Sequence, residues 1–243
     1  PFIAPAMAGG LLLCWIGWHT ARGRGVQCAA ALSVIVLMAG LLVHGGLMRG
    51  VTRIEVAGKE NSVTLVERDG RSLLVLGGER PDKAPIASLL GNRRTLRVDL
   101  VVLTEAGRYG AEALRMVQAE TEVGAQMLAD QAGDRAMPLD GQSIAFWDDG
   151  MVERSGEWLR IRVGETRLLF CPVSGDAASL PEDFRKTHLV IYSGAAPRNA
   201  GRLTTQGSVL TCSAYRLDEA MKSLPRGGDT LLTTVQEGTV EVF

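Results

Sequence analysis

VDLVVLTEAGRYGAEALRMV, residues 98–117, decides how the rest of the chain is read. Arg97 to Leu103 has the continuous apolar centre of a strand covered on both faces. Ala111 to Glu120 then places Ala113, Leu114 and Val117 at helical spacing. A strand passing through a turn into a helix is a common place to build an active site. Yet the turn itself, TEAGRYG, offers one glutamate, one arginine and one tyrosine, and neither histidine nor aspartate.

Strand and helix signals alternate on both sides of this stretch. Upstream, NSVTLVERDGRSLLVLGG (61–78) reads as a hairpin turning at Asp69-Gly70, with Val63, Leu65, Leu73 and Val75 expected on one face. Asp82 to Leu90 has the character of a short helix stopped by Gly91. Downstream, SIAFW, WLRIRV, TRLLF, HLVIY and GSVLTCSA are β-rich. LPEDFRK has a helix-start pattern, LDEAMKSL reads as a short helix, and TLLTTVQEGTVEVF as a terminal hairpin through Glu237-Gly238. Two β-rich halves with helices outside imply an αββα sandwich, with a single doubly wound sheet as the structural rival.

The amino-terminal section is of another kind. Residues 2–18 and 26–48 carry no charge, and the second run, at 23 residues, exceeds the ~20 that a helix needs to cross hydrocarbon. Basic residues follow the first run instead of preceding it, which fits a signal peptide poorly. The expectation is two membrane-spanning helices over 1–49, the end of a larger membrane region, followed by one domain over 50–243. Arg22 and Arg24 in the link favour a cytoplasmic loop, so the domain is expected on the extracytoplasmic side of a multi-pass membrane protein, with the lipid bilayer as a partner. A formal net charge of −1 excludes a global basic field that would draw the whole chain to nucleic acid.

The order of elements resembles the C-terminal region of the ComEC-type DNA-internalisation (competence) family, whose membrane region precedes a metallo-β-lactamase-like domain. The hairpin closing on Leu76-Gly77-Gly78 looks like the family's strand, Asp-Gly turn, strand and Asp-Gly-Gly pattern. Val98 to Thr104 looks like the strand that leads to its histidine-rich metal motif. LLFCPVSGDA is similar to the later strand that ends in a Gly-Asp turn, with Gly175-Asp176 as the match. HLVIYSG stands where a strand leads to a histidine pair.

The resemblance implies a metallo-β-lactamase-like αββα fold, but one whose metal ligands are replaced. Leu76 stands for an aspartate. Glu105, Gly107 and Gly110 stand for histidines and Tyr109 for a second aspartate, while Tyr192 and Ser193 take the places of the late histidine pair. Only Asp176 survives as a carboxylate. Zinc hydrolysis needs imidazole and carboxylate donors around the ion, so the expectation is a degenerate, non-catalytic domain with no cofactor and no bound metal. The rival is a membrane-anchored, metal-dependent nuclease or other hydrolase with a non-family site, for which Glu105, Asp176 and Asp183 are the oxygen donors available. Of the three histidines only His188 lies beyond the apolar runs. Cys171 and Cys212 form no C-x-x-C arrangement and are expected to be separate core thiols.

Arg160 and Arg162 alternate with Leu159, Ile161 and Val163, so both are expected on the exposed face of a strand. With Arg108 they are the candidate contacts for single-stranded DNA, through phosphate and through stacking on Trp147, Trp158 or Tyr109. The further partners implied are other parts of the same membrane protein or a DNA-uptake complex. The role so expected is structural or DNA-guiding.

Overall fold

Leu73, Leu74, Val75 and Leu76 run consecutively and none is more than 1% exposed in the computed structural model. A strand with no polar face must be covered on both sides, which places it inside a layered fold. The structure describes residues 50–242 except 79–82, 94–96, 105–107, 129–134, 173–174, 225–229 and 235–238, together with residues 34, 37, 38 and 40. All elements below belong to the compact unit Gly50–Phe243.

In chain order the first sheet takes β1 (Arg53–Ala57), β2 (Val63–Arg68), β3 (Arg71–Leu76), β4 (Arg97–Leu103), β5 (Glu122–Leu128) and β6 (Arg135–Ala136). The second takes β7 (Ser143–Ala145), β8 (Gly150–Ser155), β9 (Trp158–Val163), β10 (Thr166–Cys171), β11 (Leu189–Ser193), β12 (Gly207–Thr211) and β13 (Thr230–Thr233). The last strand, β14 (Thr239–Val242), returns to the first sheet and pairs antiparallel with β1. The spatial orders are β14-β1-β2-β3-β4-β5-β6 and β13-β12-β11-β10-β9-β8-β7.

Three apolar clusters hold the layers. Between the sheets, Ile54, Val56, Leu73, Val75, Leu100 and Val102 meet Ile161, Val163, Leu168, Phe170 and Ile191. Outside the first sheet, α1 (Lys83–Arg93) and α2 (Arg108–Glu120) lay Ile86, Leu89, Ala113 and Val117 on Leu65, Leu74, Leu76 and Val101. Outside the second, α3 (Leu217–Ser223) and two short 3-10 turns, Ala177–Ser179 and Ala200–Arg202, cover Leu169, Val190, Tyr192 and Leu210. The αββα sandwich expected from the sequence is observed, and the single doubly wound sheet is excluded by the two separate ladders.

Several local expectations are corrected. The hairpin turn does form at Asp69-Gly70, both with positive φ (+50° and +78°), as a two-residue turn between right-twisted strands requires. That turn pairs Leu65 with Leu74 and Val66 with Leu73, so Val63 and Leu65 face the helices while Leu73 and Val75 face the other sheet. Helix α1 runs two residues past Gly91. Pro181 to Arg185 makes one turn, with the Phe184 and Arg185 amides donating to the Pro181 carbonyl, and no helix. The terminal segment is not a hairpin, because β13 pairs with β12 and β14 with β1 in the opposite sheet. Leu232 and Val240 both reach the layer between the sheets from these separate edges.

The two runs expected to span a membrane lie outside the described residues, apart from four positions. Among the described residues no helix is long and apolar enough to cross a membrane. The described helices of the unit hold 11, 13 and 7 residues, against the ~20 that the hydrocarbon core demands. The expectation of a multi-pass membrane protein with its domain on the extracytoplasmic side is corrected on this finding.

Gly70 has open space where a Cβ would sit, so replacing it tests the backbone conformation alone. Gly70→Ala is expected to lower stability by about 1 kcal/mol, the cost of a left-handed non-glycine residue. An unchanged urea midpoint would show that the turn does not hold the hairpin register.

Candidate functional site

Parallel pairing brings the carboxyl ends of β3 and β4 side by side, Leu76 opposite Leu103. At the same rim β11 ends at Ser193, and the loop before β2 delivers Glu60, Asn61 and Ser62. Ser62 is completely buried and Ser193 is 6% exposed. The Ser193 hydroxyl donates to Ser62 Oγ at 3.0 Å, joining residues 131 positions apart and tying one sheet to the other.

The two glycines after β3 are explained by this packing. A Cβ on Gly77 would stand 2.3 Å from Ser62 Oγ, and one on Gly78 would stand 2.0 Å from Asn61 Oδ1. Gly78 also has φ +85°, outside the range comfortable for other residues. The Gly77 amide donates to the Ser62 carbonyl at 2.7 Å. Thr104, at the end of β4, donates its amide to the Leu76 carbonyl at 3.0 Å and accepts from the Gly78 amide at 3.3 Å. Among the described residues, main chain and small hydroxyl side chains therefore pack closely at this part of the rim.

Glu60 lies above this layer. Its Oε1 accepts from the Tyr215 hydroxyl at 2.8 Å and from Ser213 Oγ at 3.2 Å, with the Arg216 guanidinium 3.6 Å away. The Tyr215 bond, with further help from Arg216 and Ser213, holds the carboxyl below its ordinary range despite some desolvation. Tyr215 is otherwise exposed. Sequence reasoning passed over Ser62, Ser213 and Tyr215, since isolated hydroxyls in loops carry no pattern before the loops converge.

The residues expected at the degenerate site divide into several groups. Leu76 is buried under the helices, where an ionised carboxylate would be costly. Tyr192 points away from the rim into the outer cluster of the second sheet, while its neighbour Ser193 points inward, as strand alternation requires. Tyr109 is half-buried and Gly110 buried in the first turn of α2. Glu105 and Gly107, like the side chain of Arg108, lie outside the described residues. Asp176 caps the turn Ala177–Ser179: its Oδ1 accepts from the Ala178 amide and from Asn199 Nδ2, each at 2.8 Å. The Asn199 bond, then the Ala178 amide, hold its carboxyl below the usual range.

The strand arginines differ from expectation. Arg160 is 7% exposed, not on an open face. It meets Glu153 at 2.6 Å and Asp183 at 3.2 Å, and lies 3.9 Å from the centroid of the Phe184 ring. The loop Pro181–Arg185 covers that part of the sheet, and its acid and aromatic ring satisfy the guanidinium. Arg162 is half-buried beside Met151. Asp183, a candidate oxygen donor, is thus engaged with Arg160. Cys171 and Cys212 are free buried thiols, and burial raises both above the ordinary thiol value. His188 accepts the Arg167 amide on Nδ1 at the start of β10, whereas Cys171 ends that strand, so they form no nucleophile–base pair.

Solved structures share this fold. The metallo-β-lactamase fold protein YhfI from Bacillus subtilis is 13% identical, with a TM-score of 0.54 over 75% of this chain and 97% of its own. A diphosphatase from the PhnP family is 12% identical, with a TM-score of 0.50 over 79% of this chain and 98% of its own. No protein-family model and no curated protein matches the chain. The unit is a metallo-β-lactamase-like αββα sandwich. Among the described residues no group of three or more His, Cys, Asp or Glu stands together as a metal would need. A buried leucine, an outward tyrosine and two hydroxyls bonded to each other do not fit a catalytic metal ion.

Ser193→Ala would leave the Ser62 hydroxyl buried without its donor, at a cost of about 1–3 kcal/mol. In a double-mutant cycle Ser62→Ala is expected to couple to it by about 1 kcal/mol, and purely additive losses would show that the pair does not act as a unit. Asp176 should stabilise the fold above the unfolded carboxylate pKa of about 3.9. The advantage of wild type over Asp176→Asn is expected at pH 7 and should vanish as pH falls through the depressed folded value. A difference constant down to pH 2 would contradict the cap.

Proposed function

We propose that Gly50–Phe243 is a non-catalytic metallo-β-lactamase-like domain with a structural role, in a protein of the DNA-internalisation type. The observation that carries this reading is the buried Ser62–Ser193 hydroxyl pair at the rim where the fold would seat its metal. Metal-assisted hydrolysis needs lone pairs directed at an ion with a position left for water. Here the Ser193 hydroxyl is committed to Ser62 Oγ, and Gly77 and Gly78 bring main chain close against Ser62 and Asn61.

The DNA-internalisation affiliation is supported by the order of elements: the hairpin on Asp69-Gly70, the double glycine after β3, β4 leading to Thr104, and the Gly175-Asp176 turn. Among the proposed DNA contacts, Arg160 is committed to Glu153 and Asp183. A guiding role would therefore fall to Arg108 and Arg162. The rival hydrolase would have to draw on Asp176, whose Oδ1 already accepts from the Ala178 amide and Asn199.

Calorimetric titration of the full chain with Zn²⁺, Mn²⁺ and Mg²⁺ is expected to detect no one-to-one site, and nuclease assays no turnover above that of Asp176→Ala. Stoichiometric binding together with turnover lost in Asp176→Ala would overturn the non-catalytic reading. Single-stranded DNA affinity unchanged by Arg162→Ala at low salt is expected of a structural role. A tenfold loss would move the assignment to DNA guidance.

A further inference from the structure

The other end of the sandwich, ~13 Å along β11 from Ser193, holds a cavity of about 260 Å³ between the two sheets. Ile54 and Val242 of the first sheet and Leu189 and Leu232 of the second give it an apolar body. Thr166, Thr230 and His188 supply polar groups, and no carboxylate is among its lining residues. The size is just below the ~300 Å³ at which small-molecule pockets usually begin, which limits any ligand to a small one.

The chemistry of the polar groups is asymmetric. His188 Nδ1 accepts the Arg167 amide at 3.1 Å, so the neutral ring carries its proton on Nε2. Nε2 is then a fixed donor. The Thr52 oxygen accepts from the Arg68 guanidinium at 2.9 Å, which leaves its own proton available to the lining. A site with an apolar body, a fixed N–H donor, threonine hydroxyls and no acid is complementary to an amphipathic anion.

Gly207 lines the cavity without contributing a side chain. It lies at the start of β12 among the lining residues, and a Cβ there would meet Leu189 Cδ1 at 3.5 Å and the Thr230 carbonyl at 3.6 Å, ordinary contact distances. Space and backbone both tolerate a side chain at this position, so packing does not require the glycine, in contrast to Gly77 and Gly78.

We propose that this cavity is a binding site for a small monocarboxylate with an apolar body, held by His188 Nε2 and the threonine hydroxyls. The full chain titrated with hexanoate is expected to bind with a millimolar or lower Kd, and hexan-1-ol at least tenfold more weakly. Gly207→Val fills the cavity from a strand position that suits a β-branched residue. It should abolish hexanoate binding without lowering Tm. His188→Gln, an independent variant, should weaken hexanoate at least fivefold and leave hexan-1-ol unchanged. The proposal is overturned by absence of binding at 10 mM hexanoate, by equal affinity for the alcohol, or by affinity unchanged in the folded variants.

Discussion

The apolar layer between the sheets, from Ile54, Leu73 and Leu100 on one side to Ile161, Leu168 and Ile191 on the other, sets where every other element stands. Each sheet also has an apolar outer face, so each needs a helical or looped cover, and the four-layer order follows. The chain satisfies this constraint by crossing between sheets twice. β7 begins the second sheet after β6, and β14 returns to the edge of the first after β13. Both ends of the sandwich are consequently built from loops belonging to both sheets.

Those two ends differ in chemistry. At one, main chain at Gly77 and Gly78 closes on Asn61 and Ser62, and the Ser62–Ser193 bond joins the sheets. At the other, Gly207 leaves room between Leu189 and Thr230. Glycine thus serves opposite purposes, close approach in one place and open space in the other. The carboxylates near the first end are bound into local structure: Asp176 caps a turn, and Glu60 collects two hydroxyls and a guanidinium.

Much of the sandwich was legible in the sequence because its strands are short apolar runs bounded by turn residues. β3, β4, β11 and α2 could be placed from that pattern, as could the Asp69-Gly70 turn. Strand facing in the hairpin was less accessible, since β2 and β3 are apolar on both faces and alternation offers no contrast there. β5 and β8 escaped because EVGAQML and GMVERS mix polar with apolar residues at the less buried side of each sheet. Arg160 looked like an open basic face because nothing local announces that the loop Pro181–Arg185 folds over it with Asp183 and Phe184.

What the sequence by itself determined was the inventory: two β-rich halves, helices to cover them, and too few histidines for the metal cluster that the resemblance would require. Residue types and short-range periodicity are sufficient for those statements. Only the tertiary structure decided which side chains meet. Ser62 and Ser193 are 131 residues apart, and their hydroxyl bond exists because two sheets stack face to face. The same stacking separated β13 from β14, and the loop Pro181–Arg185, folding over the outer face of the second sheet, buried the Arg160 pair with Glu153. Pairings of that range are set by the register and stacking of whole sheets, which local sequence does not encode.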